Sequence, residues 1–328
     1  MILKERSIPL TIKKLEALLR RIPVEHNQRV KIEEDLSKFK AGYQGEKSLD
    51  YHLSFFKKER YIVIHDLRLL DSEMRFFQID TIILSPSLLL IIEVKNFVGT
   101  LYFDQSFNQL IRKTDGKEEA FINPIIQVDR QKLQLRNLLE QNKYSNYPIV
   151  PLVVLSNSKF IIKASNNIRE IASRVIHSDA LYKKIEELEM KYSKNLYTFK
   201  EIRKLAKLLI KQNQLLDQNI LEKYNVTKDE LLTGVICEAC KEYSMIRTKG
   251  SWYCPHCGCV SKKAHLHSLY DYYLLIGNTV KNKQLREFLH ISSIYSASRL
   301  LSKLNLPSSG TKKDKTHYLD ELSHPSAL

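Results

Sequence analysis

The sequence predicts an α/β fold in roughly its first 180 residues, followed by a cysteine-containing module and a helical C-terminal module. Short apolar runs rich in β-branched residues, typical of strands, lie between segments whose apolar residues recur at helical spacing. The order helix, strands, helix, strand is typical of an α/β core. We therefore expect five parts. They are a helical N-terminal extension (residues 1–37), the α/β domain (38–180), a helical linker (181–230), the cysteine module (231–263) and the C-terminal module (264–328).

The N-terminal elements follow from local patterns. Residues 1–40 are charged and helical in character, and Pro23 interrupts them. The stretch 41–45 contains two glycines and predicts a turn. Glu46 then begins a helix whose apolar residues recur at helical spacing.

The remaining elements of the α/β part are short apolar runs and one long helix. The predicted strands are 61–65, 78–84, 88–95, 101–103 and 149–155. The hairpin 78–95 is apolar on both faces, which predicts a central position in a sheet covered on both sides. Asn123–Pro124 begins a helix that runs to about residue 141. Helical alternation returns between residues 180 and 224.

Composition and charge narrow the class of partner. The chain has 328 residues, 43% of them hydrophobic and 27% charged, which is ordinary for globular domains. Its formal net charge of +15 favours a polyanionic partner, because lysines that neutralise phosphates release condensed counterions. Many soluble proteins are basic as well, and charge alone does not separate DNA from RNA or an anionic membrane.

Two further features indicate the compartment. The longest apolar run, Leu88–Ile92, is far shorter than the roughly 20 residues of a membrane-spanning helix. The segment Met1–Ser7 is charged and lacks the apolar core of a signal peptide. All five cysteines lie between residues 237 and 259 in CxxC spacing, which indicates metal binding rather than disulfides. We expect a cytoplasmic protein.

The predicted hairpin brings together two carboxylates and a lysine. Strand side chains alternate, so Glu93 and Lys95 share a face, and a four-residue loop places Asp80 opposite Glu93. Burial of three charges among aliphatic residues is costly unless they pair or hold a cation. Mg²⁺ prefers such oxygen ligands and activates water at a phosphodiester. The alternative is a strand salt bridge, with Asp80 at a solvent-facing strand start.

At this point the sequence resembles the nuclease-related domain (NERD), a family of the PD-(D/E)xK, restriction-endonuclease-like superfamily. The resemblance covers about residues 38–155 and rests on four segments in the family's order: Gly45–Glu46, Gln78–Asp80, Glu93–Asn96 and Asn123–Gln127. It implies a mixed sheet flanked by helices and a nuclease that depends on Mg²⁺ or Mn²⁺.

The resemblance also implies a role for each matched residue. Asp80 and Glu93 would be metal ligands, and Lys95 the catalytic lysine. Glu46 would brace Lys95 or a metal-bound water, and Gln127 would orient water or substrate. Without the resemblance, Glu46 is a helix-start acid favoured by the helix dipole, and Gln127 is an ordinary helix residue.

The cysteine module has the spacing of a structural zinc site. Two CxxC pairs, separated by thirteen residues, provide four thiolates for one tetrahedral ion: Cys237, Cys240, Cys254 and Cys257. Cys259 and His256 are alternative ligands. The alternative to a metal site is that the two CxxC motifs are redox-active or unpaired. The segment resembles a zinc ribbon, including the C4 zinc fingers of bacterial topoisomerases.

Basic and aromatic residues of the two C-terminal modules predict nucleic-acid contacts. Arg247, Lys249 and Tyr253 lie between the cysteine pairs and suit contacts with phosphates and bases, while Trp252 stacks on bases or packs the module. Residues 282–304 resemble a helix-turn-helix. Its second helix would present Arg299 and Lys303 to DNA, followed by a basic wing with Lys312 and Lys313. The alternative is a plain helical hairpin with a flexible basic tail.

These patterns predict a metal-dependent nuclease that acts on single- or double-stranded DNA, with C-terminal modules that bind the substrate. Two other functions are compatible with the sequence. One is a non-catalytic nucleic-acid-binding adaptor that retains the nuclease fold, and the other is an RNA-directed nuclease.

Overall fold

The chain forms two structural units, and each unit is assembled from two separate stretches of sequence. The first unit comprises Met1–Ile8 and Phe39–Leu216, and the second comprises Pro9–Lys38 and Asp217–Leu328. The structure is a computed structural model that describes residues 1–165 and 168–322. The predicted division into five parts stays a prediction.

The first unit contains two sheets and the helices that pack on them. Its strands are β1 (Ile2–Lys4), β2 (Ile62–Leu70), β3 (Phe76–Leu84), β4 (Leu89–Lys95), β5 (Gly99–Asp104), β6 (Gln109–Thr114), β7 (Lys117–Ile122), β8 (Ile149–Leu155), β9 (Phe160–Ala164) and β10 (Val175–His177). Its helices are α3 (Pro124–Gln141), α4 (Ile168–Arg174), α5 (Leu181–Lys191), α6 (Phe199–Lys211) and the C-terminal part of α2 (Arg29–Leu53).

The main sheet is mixed and has the order β1-β2-β3-β4-β8-β10. β3 is antiparallel to both β2 and β4, whereas β4 and β8 are parallel. One apolar cluster packs a face of this sheet against Val128 of α3 and Leu205 of α6. A second cluster packs the other face against Leu49 of α2 and Ile185 of α5. The sheet is therefore covered on both sides, which explains why the hairpin β3–β4 is apolar on both faces. The predicted mixed α/β class is confirmed.

A smaller sheet of order β7-β6-β5-β9 follows β4 along the chain, and the sequence predicted only part of one of its strands. β6 and β7 each contain only two or three consecutive apolar residues, a weaker signal than the longer apolar runs that identified most of the other strands. Their turn is Asp115–Gly116, where both residues have positive φ. An Asp-Gly pair is a strong hairpin signal and could have located these strands.

Two N-terminal predictions are wrong. Residues 41–45 do not form a turn, because α2 runs without interruption through them. Gly45 instead permits a close approach, since a Cβ there would lie 2.5 Å from Asn96 Cβ and 2.8 Å from Ser156 Oγ. The expected helical N-terminal extension also begins with a strand, β1, which pairs in parallel with β2.

The second unit combines short helices with two small antiparallel sheets. Its helices are α1 (Leu10–Arg21), the N-terminal part of α2, α7 (Ile220–Lys223), α8 (Ala264–Leu275), α9 (Asn282–Leu289) and α10 (Ile294–Lys303). Its strands are β11 (Ile246–Thr248), β12 (Ser251–Tyr253), β13 (Val260–Ser261), β14 (Thr279–Lys281), β15 (Ser308–Ser309) and β16 (Thr316–Tyr318). The sheet orders are β11-β12-β13 and β14-β16-β15. Among the described residues of the whole chain, no helix has the length and apolar character needed to cross a membrane.

A buried ion pair joins the elements of the second unit. The Arg21 side chain is fully buried, and its Nε donates to Asp271 Oδ2 at 2.9 Å. Its Nη1 donates to the carbonyl oxygens of Leu232 and Gly234, both at 3.0 Å. Arg20 Nη2 donates to the other Asp271 oxygen at 2.7 Å. The Arg21 guanidinium also lies over two rings: Tyr243 and Phe288. One side chain thus connects α1, α8, α9 and the chain around the cysteine module.

We predict that Asp271→Ala lowers the free energy of unfolding of the second unit by about 3–5 kcal/mol, because it leaves a buried guanidinium without its carboxylate. Trp252 is the only tryptophan and is fully buried in this unit, so its fluorescence during urea denaturation measures the change. Glu33→Ala removes the exposed Arg29–Glu33 pair and serves as the control, with an expected loss below about 1 kcal/mol. Equal losses in the two variants would contradict the role assigned to Asp271.

Candidate active site and cysteine metal site

The β3–β4 hairpin places Asp80 and Glu93 as the alternation of strand side chains predicts. Ile82 pairs with Ile91 and Leu84 with Leu89, and this register continues to set Asp80 across from Glu93. Asp80 Oδ2 accepts a hydrogen bond from the Val94 amide at 2.8 Å. Both carboxyl side chains are buried, with Asp80 8% exposed and Glu93 4% exposed. Two acids therefore lie together inside a largely aliphatic sheet.

Helix α3 brings two glutamines to Glu93. Lys95 Nζ donates to Glu93 Oε1 at 2.7 Å and to Gln127 Oε1 at 3.1 Å. Gln127 Nε2 donates to the same Glu93 oxygen at 2.7 Å, and Gln131 Nε2 donates to Glu93 Oε2 at 2.8 Å. The Asn123 side chain caps the helix, so Gln127 falls in its first turn. The structure thus brings Gln127 to the site together with Gln131, which sequence reasoning missed although it lies one turn later on the same helix face.

Glu46 reaches the site from α2 and bonds to an arginine that no sequence motif identified. Arg6 Nη1 donates to Glu46 Oε2 at 2.9 Å and to Asp66 Oδ1 at 3.0 Å. Its Nε reaches Asp50 Oδ1 at 3.4 Å, and its Nη2 donates to Thr81 Oγ1 at 3.0 Å. Only 2% of the Arg6 side chain is exposed. Its partners are distant in sequence, so local patterns gave no signal for it.

The acidic groups of the site interact electrostatically. Burial raises the pKa of Asp80 well above its usual range, and the charges of Glu93 and Glu46 raise it further. Burial also raises the pKa of Glu46 to about 7, against the lowering effect of Arg6. The groups of this network that are not exposed are five carboxyl groups and three cationic groups: Glu46, Asp50, Asp66, Asp80 and Glu93 with Lys4, Arg6 and Lys95. When all are ionised, two negative charges are in excess.

These residues fit a divalent cation. Carboxylate oxygens are the ligands that Mg²⁺ and Mn²⁺ prefer, and a bound cation offsets the excess negative charge. Gln131 Oε1 is buried beside Glu93 without a hydrogen-bond partner among the described residues, and a metal-bound water is a donor that would satisfy it. Asp80 and Glu93 would supply the protein ligands. Two carboxylates suit Mg²⁺, which usually keeps several waters.

The four predicted cysteines converge on one point. Cys237 Sγ lies 3.6 Å from Cys257 Sγ, and Cys240 Sγ lies 3.6 Å from Cys254 Sγ. All four sulfur atoms are within 4.8 Å of one another, and within residues 1–165 and 168–322 this is the group in which at least three ligand atoms approach so closely. A tetrahedral zinc site with Zn–S bonds of about 2.3 Å has sulfur separations of about 3.8 Å. The group can therefore hold a metal such as zinc.

The two CxxC segments repeat one backbone conformation. The amide of Cys237 donates to Glu242 O at 2.8 Å, and the amide of Cys254 donates to Cys259 O at 2.9 Å. The fifth residue of each segment has positive φ, Lys241 in the first and Gly258 in the second. The Ser244 hydroxyl, with backbone amides, lowers the pKa of Cys254 to about 6, which favours a thiolate. Two other potential ligands lie outside the converging group: His256 and Cys259.

The residues between the cysteine pairs divide into packed and exposed groups. Trp252 is fully buried and its Nε1 donates to His265 Nδ1 at 3.1 Å. Of the two roles expected for it, Trp252 therefore packs the interior of the module and is not exposed for stacking on bases. Arg247 is half-buried with its guanidinium 5.2 Å from the Trp252 ring centre. Lys249 and Tyr253 are exposed. Of the three residues of this module that were predicted to contact nucleic acid, Lys249 and Tyr253 are therefore more accessible than Arg247.

The C-terminal segment has the element order α8, β14, α9, α10, β15, β16. His290, with φ of 56°, ends α9, and the Ser293 side chain caps α10. The inner face of α10 buries Leu300 and Leu301. Three of the predicted basic contacts are exposed: Arg299, Lys303 and Lys312. The side chain of Lys313 and residues 323–328 lie outside the described part of the chain.

Comparison with known proteins supports part of this picture. A family model described as the nuclease-related domain matches residues 41–156. This range contains the five predicted active-site residues and confirms the resemblance that the sequence gave at 38–155. Arg6 and the four clustered cysteines lie outside it, and the zinc-ribbon resemblance stays a prediction. A search of curated proteins found no match.

We predict one zinc ion per chain by elemental analysis of the purified protein. Cys240→Ser should release it and increase the solvent exposure of Trp252, because a closed four-thiolate site supplies much of the folding energy of a small module. Cys259→Ser is the matched control and should retain the metal, since its sulfur is not in the converging group. Loss of zinc in the control, with retention in Cys240→Ser, would contradict the assigned ligand set.

Proposed function

We propose that this protein is a Mg²⁺- or Mn²⁺-dependent nuclease that hydrolyses phosphodiester bonds of DNA. The observation that carries this proposal is the contact set of Glu93, Lys95 and Gln127 beside the buried Asp80, inside residues that match a nuclease-related domain. A non-catalytic adaptor would not need the two carboxyl groups of Asp80 and Glu93 buried among apolar strand residues, because their burial costs stability. A cytoplasmic location remains part of the proposal.

The side chains suit phosphodiester hydrolysis. Lys95 is partly exposed, at 24%, while its ammonium group is held by Glu93 and Gln127. An ammonium in this position can stabilise the negative charge that develops on the phosphate oxygens. Gln127 and Gln131 fix the orientation of Glu93, and Gln127 can also orient a water molecule. A divalent cation held by Asp80 and Glu93 would activate water and neutralise charge on the phosphate.

The C-terminal segment supports DNA as the substrate. Its order of helix, strand, two helices and two strands is that of a winged helix-turn-helix, in which the second helix of the pair enters the major groove of duplex DNA. In that arrangement α10 would present Arg299 and Lys303, and the segment between β15 and β16 would present Lys312. Lys249 and Tyr253 of the cysteine module would add phosphate and base contacts. These features favour DNA over RNA, whose duplex has a narrow major groove.

We predict that Asp80→Ala, Glu93→Gln and Lys95→Ala each reduce cleavage of plasmid DNA by at least about 100-fold, because each removes a group that stabilises the reacting phosphate or its cation. Purified protein is incubated with plasmid, single-stranded DNA or RNA in Mg²⁺, Mn²⁺ or EDTA. Glu140→Gln replaces an exposed acid on α3 and is the matched control. Metal-dependent cleavage that persists in Asp80→Ala would contradict the proposal, and DNA binding without cleavage in every metal would favour the adaptor.

A second prediction concerns binding of duplex DNA. The double variant Arg299→Ala, Lys303→Ala should weaken binding and reduce the slope of log Kd against log salt by about 1.8, at about 0.9 for each lost phosphate contact. Fluorescence anisotropy at several salt concentrations measures the slope. Lys228→Ala, at an exposed position of the same unit, is the control and should leave it unchanged. An unchanged slope in the double variant would exclude α10 from the interface.

Point variants are preferable to truncation in this experiment. Residues 9–38 belong to the same unit as residues 217–328. Leu15 and Leu18 of α1 are fully buried in it. Removal of the C-terminal segment would expose this apolar face, so a loss of binding could not be separated from a loss of folding.

A further inference from the structure

The strand β1 carries an arginine into the active site from outside the residues that match the nuclease-related domain. Arg6 is the second residue after β1, and its side chain is 2% exposed. Its guanidinium donates to three carboxylates: Glu46, Asp66 and Asp50. A guanidinium is planar and presents several donors in a fixed geometry, so it can hold several acids in defined positions at once.

The position of Arg6 is itself fixed by β1. Ile2 pairs with Val63 and Lys4 with Ile64, which aligns β1 in parallel with β2. Lys4 Nζ donates to the carbonyl oxygens of His65 and Asp66 at 2.7 and 2.9 Å. Asp66 has φ of 52°, an uncommon conformation for a residue other than glycine. Lys4 and Arg6 thus hold the backbone and the side chain of Asp66 at this irregular point of β2.

This irregular point lies beside the proposed metal ligands. His65 pairs with Thr81 and Leu67 with Ile79, so Asp66 stands across from Asp80. Residues other than glycine in the left-handed backbone region are found preferentially at active sites. Arg6 also donates to Thr81, the residue after Asp80. One guanidinium therefore contacts Asp66, which lies across from Asp80 on β2, Thr81, which follows Asp80 on β3, and the Glu46 side chain on α2.

Glu46 depends on Arg6 for its orientation. Its carboxylate accepts from Arg6 Nη1 at 2.9 Å, and its side chain is 23% exposed. The charge of Glu46 acts on both Asp80 and Glu93. Without Arg6, the Glu46 side chain would lose this fixed contact and could adopt other rotamers.

We propose that Arg6 is a positioning residue of the nuclease active site, which acts by orienting Glu46 beside Asp80. The inference rests on the proposed function. It makes the strand β1 part of the catalytic unit although the family match begins at residue 41. Arg6 itself is buried behind the three carboxylates, so it does not contact DNA.

The test is a double-mutant cycle on cleavage with wild type, Arg6→Met, Glu46→Gln and the double variant. We expect Arg6→Met to lower kcat by about 10–100-fold, as for groups that orient metal-site residues, with KM for DNA within about twofold. The double variant should lie within about threefold of Glu46→Gln alone, because Arg6 acts through Glu46. Arg136→Met removes another arginine of this unit, which donates to the Ser145 and Tyr147 carbonyl oxygens, and should leave kcat unchanged.

A second readout follows folding without activity. Thermal unfolding of the same variants in EDTA, monitored by circular dichroism, measures what each substitution costs the fold. If Arg6→Met does not fold, Arg6→Lys keeps a charge but cannot bond to three carboxylates, and it should regain only part of kcat. A fall in thermal stability with kcat unchanged, multiplicative losses in the double variant, or full activity in Arg6→Lys would each overturn the inference. A wild type that does not cleave DNA removes the proposed function and the inference with it, whereas an active wild type with an active Arg6→Met variant removes the inference alone.

Discussion

The first unit is organised around the cost of burying two carboxylates in the apolar interior of a sheet. Asp80 and Glu93 lie at the point where the aliphatic strands β3 and β4 give way to polar residues. Ionised acids in such an environment are unstable unless hydrogen bonds, cations or protons compensate them. The Val94 amide, Lys95, Gln127 and Gln131 each donate to one of these two groups. The helix that carries the glutamines is therefore required by the electrostatics of the sheet as well as by its apolar packing.

The sequence was sufficient to predict this part of the site because its information is local. Alternation along two strands and the length of one loop placed Asp80 across from Glu93, whereas Gln127 was predicted at the site only through the resemblance to the nuclease-related domain. Gly45 was misread as a turn residue for an opposite reason. Its missing side chain permits contact with Asn96 and Ser156, which are distant in sequence. A glycine pattern does not distinguish a turn from a close approach between elements.

Arg6 lay beyond prediction for the same physical reason. Its partners are 40 to 75 residues away and meet only when β1 aligns with β2 beside α2. The hairpin β6–β7 was missed because two of its cross-strand pairs are charged, Arg112 with Glu119 and Lys113 with Glu118, which leaves only short apolar runs in each strand. The buried Arg21–Asp271 pair, which joins residues 250 positions apart, is a further contact of this kind. Sequence patterns thus located groups within one element or hairpin, while tertiary charge pairs required the structure.

Buried charges are compensated differently in the two units, and the difference favours a functional role for the buried charges of the first unit. In the second unit, Asp271 meets both Arg20 and Arg21, and the remaining donors of Arg21 bond to backbone carbonyls or lie against aromatic rings, so this network contains no excess acid. In the first unit, three cationic groups, Lys4, Arg6 and Lys95, lie among five carboxyl groups. Burial, together with the charges of neighbouring carboxylates, raises the pKa of both Glu46 and Asp80. A fold that needed only stability would gain from replacing some of these acids with apolar residues. These buried acids reduce stability, and they lie beside a partly exposed lysine. Such a local cost in stability is expected where a protein binds a cation and performs chemistry.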